Sequence, residues 1–390
     1  MSEAEAEIPE GSIDEPVERA VTPFELFFDL VFVFGFTQVT ALMAAHPTGH
    51  GVLRGMLVLA AVWWAWGAYA WLATTISLED GSTRLVMIGV MAAMFIAALA
   101  APNAFGDTGV LFASAYLVVR ILHLVLYAVA ARGSPALLDS VIKLTPTGVA
   151  GPLMILAAAF VDSSFREAIW AAALLLDFAG PLFQDSEGWE LTPGHFSERH
   201  GLILIVALGE SVVALGAGGG PLDLDVRTIV AATLGIAVVT AMWWMYFDVV
   251  AIVAAHRLAQ AKGAAQAAQA RDSYSYLHFP MVAGVILFAL GVKKALPHAH
   301  DSLDWAPAAA LCGGVALYLV AHILFRLRNV GTLNRQRLVA AALLACMVAL
   351  ASSVSALVLL ALVAATTTLL VAYEAVRFRE ARHRVRAARS

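Results

Sequence analysis

The sequence predicts an all-α polytopic membrane protein of about twelve transmembrane helices, arranged as two parallel six-helix repeats. Three observations lead there: the composition, the recurrence of apolar stretches of one length, and motifs that return in the same order. Of 390 residues, 61% are hydrophobic and only 14% are charged, and the mean hydropathy is +0.81. Soluble domains are about 45–50% apolar and about 25% charged, so water is not the solvent of most of this chain.

Apolar stretches occupy 24–45, 52–75, 83–101, 109–131, 143–161, 165–184, 198–218, 227–254, 275–296, 306–327, 336–352 and 354–376. Each is close to the ~20 residues that a helix rising 1.5 Å per residue needs to cross a hydrocarbon core of ~30 Å. The last two could instead form one re-entrant pair. Orientation follows from the loops, because cytoplasmic loops retain Lys and Arg. Of the 24 basic residues, 18 fall on the side that holds Arg19, Arg84, Arg132 and the C-terminal tail. The other side holds Arg54, Arg166, Arg227, Lys293 and Lys294, and Arg120 lies mid-helix. One missed span would scramble this partition, so both termini are expected in the cytoplasm of a bacterial inner membrane.

The expected organisation is an acidic, disordered cytoplasmic tail (1–23), a first repeat (24–184), a cytoplasmic connection (185–197), a second repeat (198–376) and a basic tail (377–390). The first tail carries Glu3, Glu5, Glu7, Glu10, Asp14, Glu15 and Glu18, whereas a cleavable signal peptide needs a basic start and a short apolar core. The stretch Arg377 to Arg389 is expected to lie against anionic lipid headgroups rather than nucleic acid. Cys312 and Cys346 both fall in apolar stretches, which excludes a disulfide framework and a cysteine metal site.

The repeat is legible in three matches. YLVVRIL at 116–122 answers YLVAHIL at 318–324, with Arg120 opposite His322; WWAW at 63–66 answers WWMY at 243–246; and Glu25 at the start of helix 1 answers Glu198 at the start of helix 7. Units with an even number of helices must be parallel, related by an axis along the membrane normal, and transporters of that symmetry bind substrate between the halves.

A charge at mid-bilayer costs about 2.5–3.5 kcal/mol on insertion scales, so intramembrane ionisable residues are candidate functional groups. Helix 1 opens with PFELFFDLVFVF, where Glu25 and Asp29 share a face; the alternative is an interfacial pair favouring the helix dipole. Helix 7 opens with HFSERHGLILIVALGES, packing His195, Glu198, Arg199 and His200 into little more than one turn, with Glu210 some way deeper. For Glu210 the alternative is a neutral, hydrogen-bonded acid that locks helix packing beside Ser211. Arg120 stays protonated and needs a carboxylate or carbonyl partner, with Asp29, Asp177, Glu210 and Asp248 as candidates. A purely structural ion pair is the competing account.

His123, one turn from Arg120, and His278 in YSYLHFP are further candidates, with hydrogen-bonded packing as the plainer reading. Because successive helices alternate direction, most of this set converges on the cytoplasmic half of the bundle, with Arg120 and Glu210 above it. Trp63, Trp64, Trp66 and Trp71 on helix 2, with Trp243 and Trp244 on helix 8, could stack on a ligand or serve only packing. Helix 5 begins KLTPTGVAGP, where Pro146, Gly148, Gly151 and Pro152 predict a broken or kinked segment. The chain has no Walker loop, dinucleotide fingerprint, HExxH helix or nucleophile elbow, so no cofactor or metal is expected. His123 and His322 as a haem pair have no motif behind them.

The motifs FELFFDLVFVF at 24–34, HFSERHGLILIVALGES at 195–211, WWMYFD at 243–248 and YSYLHFPMVAGVILFALG at 274–291 resemble those of the low temperature requirement protein A family of bacterial membrane proteins. The resemblance spans helices 1 to 10 or more. It implies an integral membrane protein linked by name to growth in the cold, without a settled biochemical activity. The positions it touches are Glu25, Asp29, His195, Glu198, Arg199, His200, Glu210, Asp248 and His278.

The leading expectation is a secondary transporter or proton-coupled permease for a small molecule or ion, with a polar site in the cytoplasmic half between the repeats. The alternatives are a membrane-embedded enzyme acting on a lipid-borne substrate through a His and carboxylate pair, or a non-catalytic sensor or scaffold. A scaffold should show its charges fully paired around no cavity.

Overall fold

The computed structural model describes residues 20–78, 80–161, 163–183, 189, 191–217 and 225–387. Most of the acidic tail, residues 185–188 and 190 of the 185–197 connection, and Arg389 lie outside the described residues.

All regular structure among the described residues is helical. The expected first half holds α1 (Pro23–Ala45), α2 (Gly49–Thr75), α3 (Gly81–Ala100), α4 (Gly109–Ala130), α5 (Pro135–Ala158) and α6 (Ser163–Ala179). The second begins with α7 (Pro193–Ala217), α8 (Val226–Phe247) and α9 (Val250–Gln260). Then α10 (Gly263–Ala270) continues through a π-helical segment, Arg271–Tyr276, into α11 (His278–Ala295), and α12 (Trp305–Ala308) continues through a π segment, Ala309–Gly313, into α13 (Gly314–Val330). The chain finishes with α14 (Arg335–Met347), α15 (Ala356–Arg377) and α16 (Arg379–Ala387).

Local sequence explains the helix starts. Thr22 and Glu25 form a reciprocal capping box at α1, Thr48 caps α2, and Ser355 caps α15. Asp225 accepts from the Thr228 backbone N–H at 2.8 Å, and that bond holds its carboxyl below the usual carboxylate range.

Among the described residues, ten helical stretches are long and apolar enough to cross a membrane. They coincide with ten of the twelve expected spans. The other two positions are also helical but shorter: α6 has 17 residues and α14 has 13. The outer surface is apolar, with Leu85, Phe160, Leu175, Phe183, Val226 and Leu369 each more than two-thirds exposed. A soluble monomer does not present such a surface, whereas lipid requires one.

Helix 5 is not broken. It runs unbroken from Pro135 to Ala158, with Pro146 and Pro152 inside it. Its glycines instead make room: a Cβ at Gly151 would come within 3.1 Å of the Ala173 carbonyl oxygen and of Asp177 Cβ on α6, and one at Gly148 would meet Arg120 at 3.5 Å. Small residues that allow close helix approach are the usual device where lipid removes the hydrophobic drive to associate.

The α11–α13 contact is tighter still. A Cβ at Gly284 would stand 2.5 Å from the Gly314 carbonyl oxygen, and one at Gly314 would stand 2.7 Å from that of Gly284. Gly284→Ala is therefore expected to push the two backbones apart at a cost of about 1–3 kcal/mol, read as a lowered unfolding temperature in detergent. An unchanged temperature would show that the helices adjust freely.

Candidate functional site

Ten of the twelve sequence-selected residues are buried: Glu25, Asp29, Arg120, His123, Asp177, His195, Arg199, His200, Glu210 and His278 are each at most 3% exposed. Charged groups are thus inside and apolar groups outside, as the cost of burying unpaired charge in lipid demands only if partners are present. Glu198 is exposed, accepting from the Val21 backbone N–H at 3.3 Å, and stays outside the buried set.

Three polar pairs tie α1 to α7. His195 Nε2 lies 3.0 Å from both Glu25 carboxylate oxygens, Arg199 donates to Asp29 at 2.8 Å, and Thr37 donates to Glu210 at 2.5 Å. The partners ascend both helices together, so α1 and α7 run in the same direction. Asp29 also accepts from the Trp66 indole at 2.9 Å, and the Arg199 guanidinium sits 5.7 Å from the Trp66 ring centre. Asp29 is therefore fixed by one helix of each expected half, α2 and α7.

Beside this ladder lies a row of imidazoles and aromatic rings. His200 packs 4.8 Å from Trp66 and 5.4 Å from His278, measured between ring centres. His278 Nδ1 faces the Ser273 carbonyl at 3.0 Å, and because a carbonyl only accepts, that nitrogen carries the proton. Its Nε2 then accepts from the Tyr246 hydroxyl at 2.7 Å. The Tyr246 ring in turn packs 5.8 Å from His322.

Arg120 chooses Asp177 among its four candidates, at 2.8 Å, across α4 and α6. His123 places its Nε2 3.1 Å from the Ala68 carbonyl. Asp248 lies apart: it pairs with Arg382 at 2.6 Å and with Arg386, both on α16. Two arginines of the basic tail, expected on lipid headgroups, are thus engaged by protein.

Sequence reasoning missed a further ion pair, between buried Arg337 and half-buried Glu374. Arg337 on α14 grips Glu374 on α15 through Nε at 2.9 Å and Nη2 at 2.8 Å, and donates to His322 Nδ1 at 3.0 Å. The signal available was Glu374, a carboxylate inside an apolar stretch that had been given no partner. No group of three or more His, Cys, Asp or Glu positioned for a metal occurs among the described residues. His123 and His322 line different cavities, which gives a bridging haem no support.

Apolar spans around a core of paired charge define a multi-pass helical membrane protein with an ionisable interior. The chain belongs to the bacterial low temperature requirement A protein (LtrA) family, whose family model matches residues 20–372. It is also 27% identical over 306 residues to an uncharacterized protein of Rhizobium meliloti (strain 1021), covering 76% of this chain and 74% of that one.

Proposed function

We propose that this protein is a proton-coupled secondary transporter of the bacterial inner membrane, with twelve spans in two parallel six-helix units and both termini in the cytoplasm. The observation that carries the reading is the α1–α7 ladder, which puts Glu25, Asp29, His195, Arg199 and Glu210 on the seam between the first helices of the two units. Groups that change protonation or partner at such a seam couple charge movement to the rocking of one unit against the other.

Further support comes from neighbour order. α1 packs on α2 and α3 as α7 packs on α8 and α11, α3 on α4 as α11 on α13, α4 on α5 as α13 on α14, and α2 on α6 as α8 on α15. In this scheme α6 and α14 complete the twelve. Arg377, Arg379 and Arg384 are exposed and take the role of contacting anionic lipid heads, leaving Arg382 and Arg386 with Asp248.

The test is proton flux into liposomes carrying an interior pH dye. Glu210→Gln keeps an acceptor for Thr37 while removing the titratable group, so the fold should survive and flux should fall on the order of a hundredfold. Arg120→Ala is expected to abolish flux as well. Flat traces from folded wild-type protein under every imposed gradient would overturn the reading.

A further inference from the structure

A cavity of about 90 Å³ lies between α2, α4 and the π-helical segment, and the ladder described above does not use it. At roughly 10–15 Å³ per water molecule it has space for about six to nine waters, or one small ligand in their place. Trp63, Trp64, Trp71 and Trp189 line it, with Arg120 and His123 on the α4 side.

The polar groups there are incompletely used. Arg120 spends only Nη2 on Asp177, while its Nε and Nη1, buried with the rest of the side chain, have no protein partner. His123 faces the Ala68 carbonyl through Nε2, and its buried Nδ1 has no protein partner. In the neutral ring Nδ1 is an acceptor, so Arg120 offers two unused donors and His123 one unused acceptor on side chains that line the cavity. A buried polar atom left without a partner costs about 1–3 kcal/mol, which a ligand supplying the missing bonds recovers.

The walls are built around this space. Gly67 is buried on α2 and lines the cavity, yet a Cβ added there would meet nothing within 4 Å. Trp63 and Trp71 are held by indole bonds to the Ser275 carbonyl and hydroxyl, both at 2.8 Å, so the π segment fixes two of the walls. π-bulges of this kind recur at functional sites.

Charge selects the ligand. Arg120 and Arg271 are among the lining residues, while their carboxylate partners, Asp177 and Asp272, are not. The side chains facing the cavity are therefore cationic, which favours an anion.

We propose that this cavity binds a small monoanionic aromatic carboxylate, the carboxylate taking the free Arg120 N–H groups and the ring lying among the tryptophans. A hydroxyl or amino substituent on the ring would find His123 Nδ1. The proposal deepens the transport reading by naming a substrate class and rests on it only for what the binding serves.

The test is calorimetric titration of the full-length protein in detergent, without a gradient, using benzoate as probe and benzylamine and inorganic phosphate as controls. Benzoate should bind saturably at one site and neither control should compete. Gly67→Leu fills open space without touching a charged group, so it should fold normally and abolish binding. The double variant Arg120→Gln/Asp177→Asn removes the guanidinium without stranding a carboxylate, and should weaken binding by about ten- to a hundredfold. No binding to the folded wild type, binding that survives Gly67→Leu, or competition by benzylamine or phosphate would each overturn the proposal. A transporter that moves protons but ignores benzoate defeats only this inference; benzoate binding without proton flux defeats only the transport reading.

Discussion

Asp29→Ala is expected to destabilise the protein by about 3–5 kcal/mol, because it strands the Arg199 guanidinium without its counter-ion. Arg199 is fully buried, and Asp29 is the carboxylate it reaches, at 2.8 Å. The Trp66 indole loses its acceptor in the same step. Replacing both partners with apolar residues, Asp29→Leu with Arg199→Met, should recover most of that loss, since well-packed apolar side chains often equal a buried ion pair in stability. Thermal unfolding followed by size-exclusion chromatography in detergent measures both. A double variant that is as stable as the wild type but silent in the flux assay would separate function from folding at this pair. An Asp29→Ala variant with wild-type stability would mean that Arg199 finds another partner, and the ladder would lose its central rung.

Arg337→Ala is expected to have a comparable effect, about 3–5 kcal/mol, for a different structural reason. The α14 helix has only 13 residues, packs Ala340, Ala341, Leu344 and Met347 into the core, and adds one buried charge at its start, Arg337. Arg337 joins α14 to α15 through Glu374 and to α13 through His322. Asn334, which caps α14, also donates to Glu374 at 3.1 Å, so the carboxylate would keep one bond while losing its counter-charge. The readouts are unfolding temperature and the rate of proteolysis in the turn at Gly331 to Asn334, which should rise as α14 detaches. Glu374→Gln in the Arg337→Ala background should return part of the stability by removing the stranded charge. If proteolysis stays at the wild-type rate, the hydrophobic contacts of α14 suffice.

Much of the site was legible because cost points to it. Asp29, Arg120, Asp177 and Glu210 could be chosen before any fold was known, since a charge in an apolar stretch must have a reason to be there. What could not be read was pairing. Arg120 had four candidate carboxylates, and the choice of Asp177 depends on how closely α5 lets α4 and α6 approach, which Gly148 and Gly151 control. The same glycines, next to Pro146 and Pro152, suggested a broken helix, because a local reading weighs backbone propensity and cannot see the neighbour that needs the space. The Arg337 partner was missed because an arginine at a helix start looks solvated until Glu374, 37 positions later, is brought beside it.

Composition and the length of apolar stretches alone determined that this is a multi-pass helical membrane protein, because lipid excludes water from every span and so constrains each segment independently of the others. Burial of the candidate charges followed from the same constraint. Only tertiary structure decided that Glu25 meets His195, that Asp29 meets Arg199 and that Asp248 is held by the C-terminal helix. Those contacts join segments more than a hundred residues apart, and their choice rests on helix packing distances that no local stretch of sequence encodes.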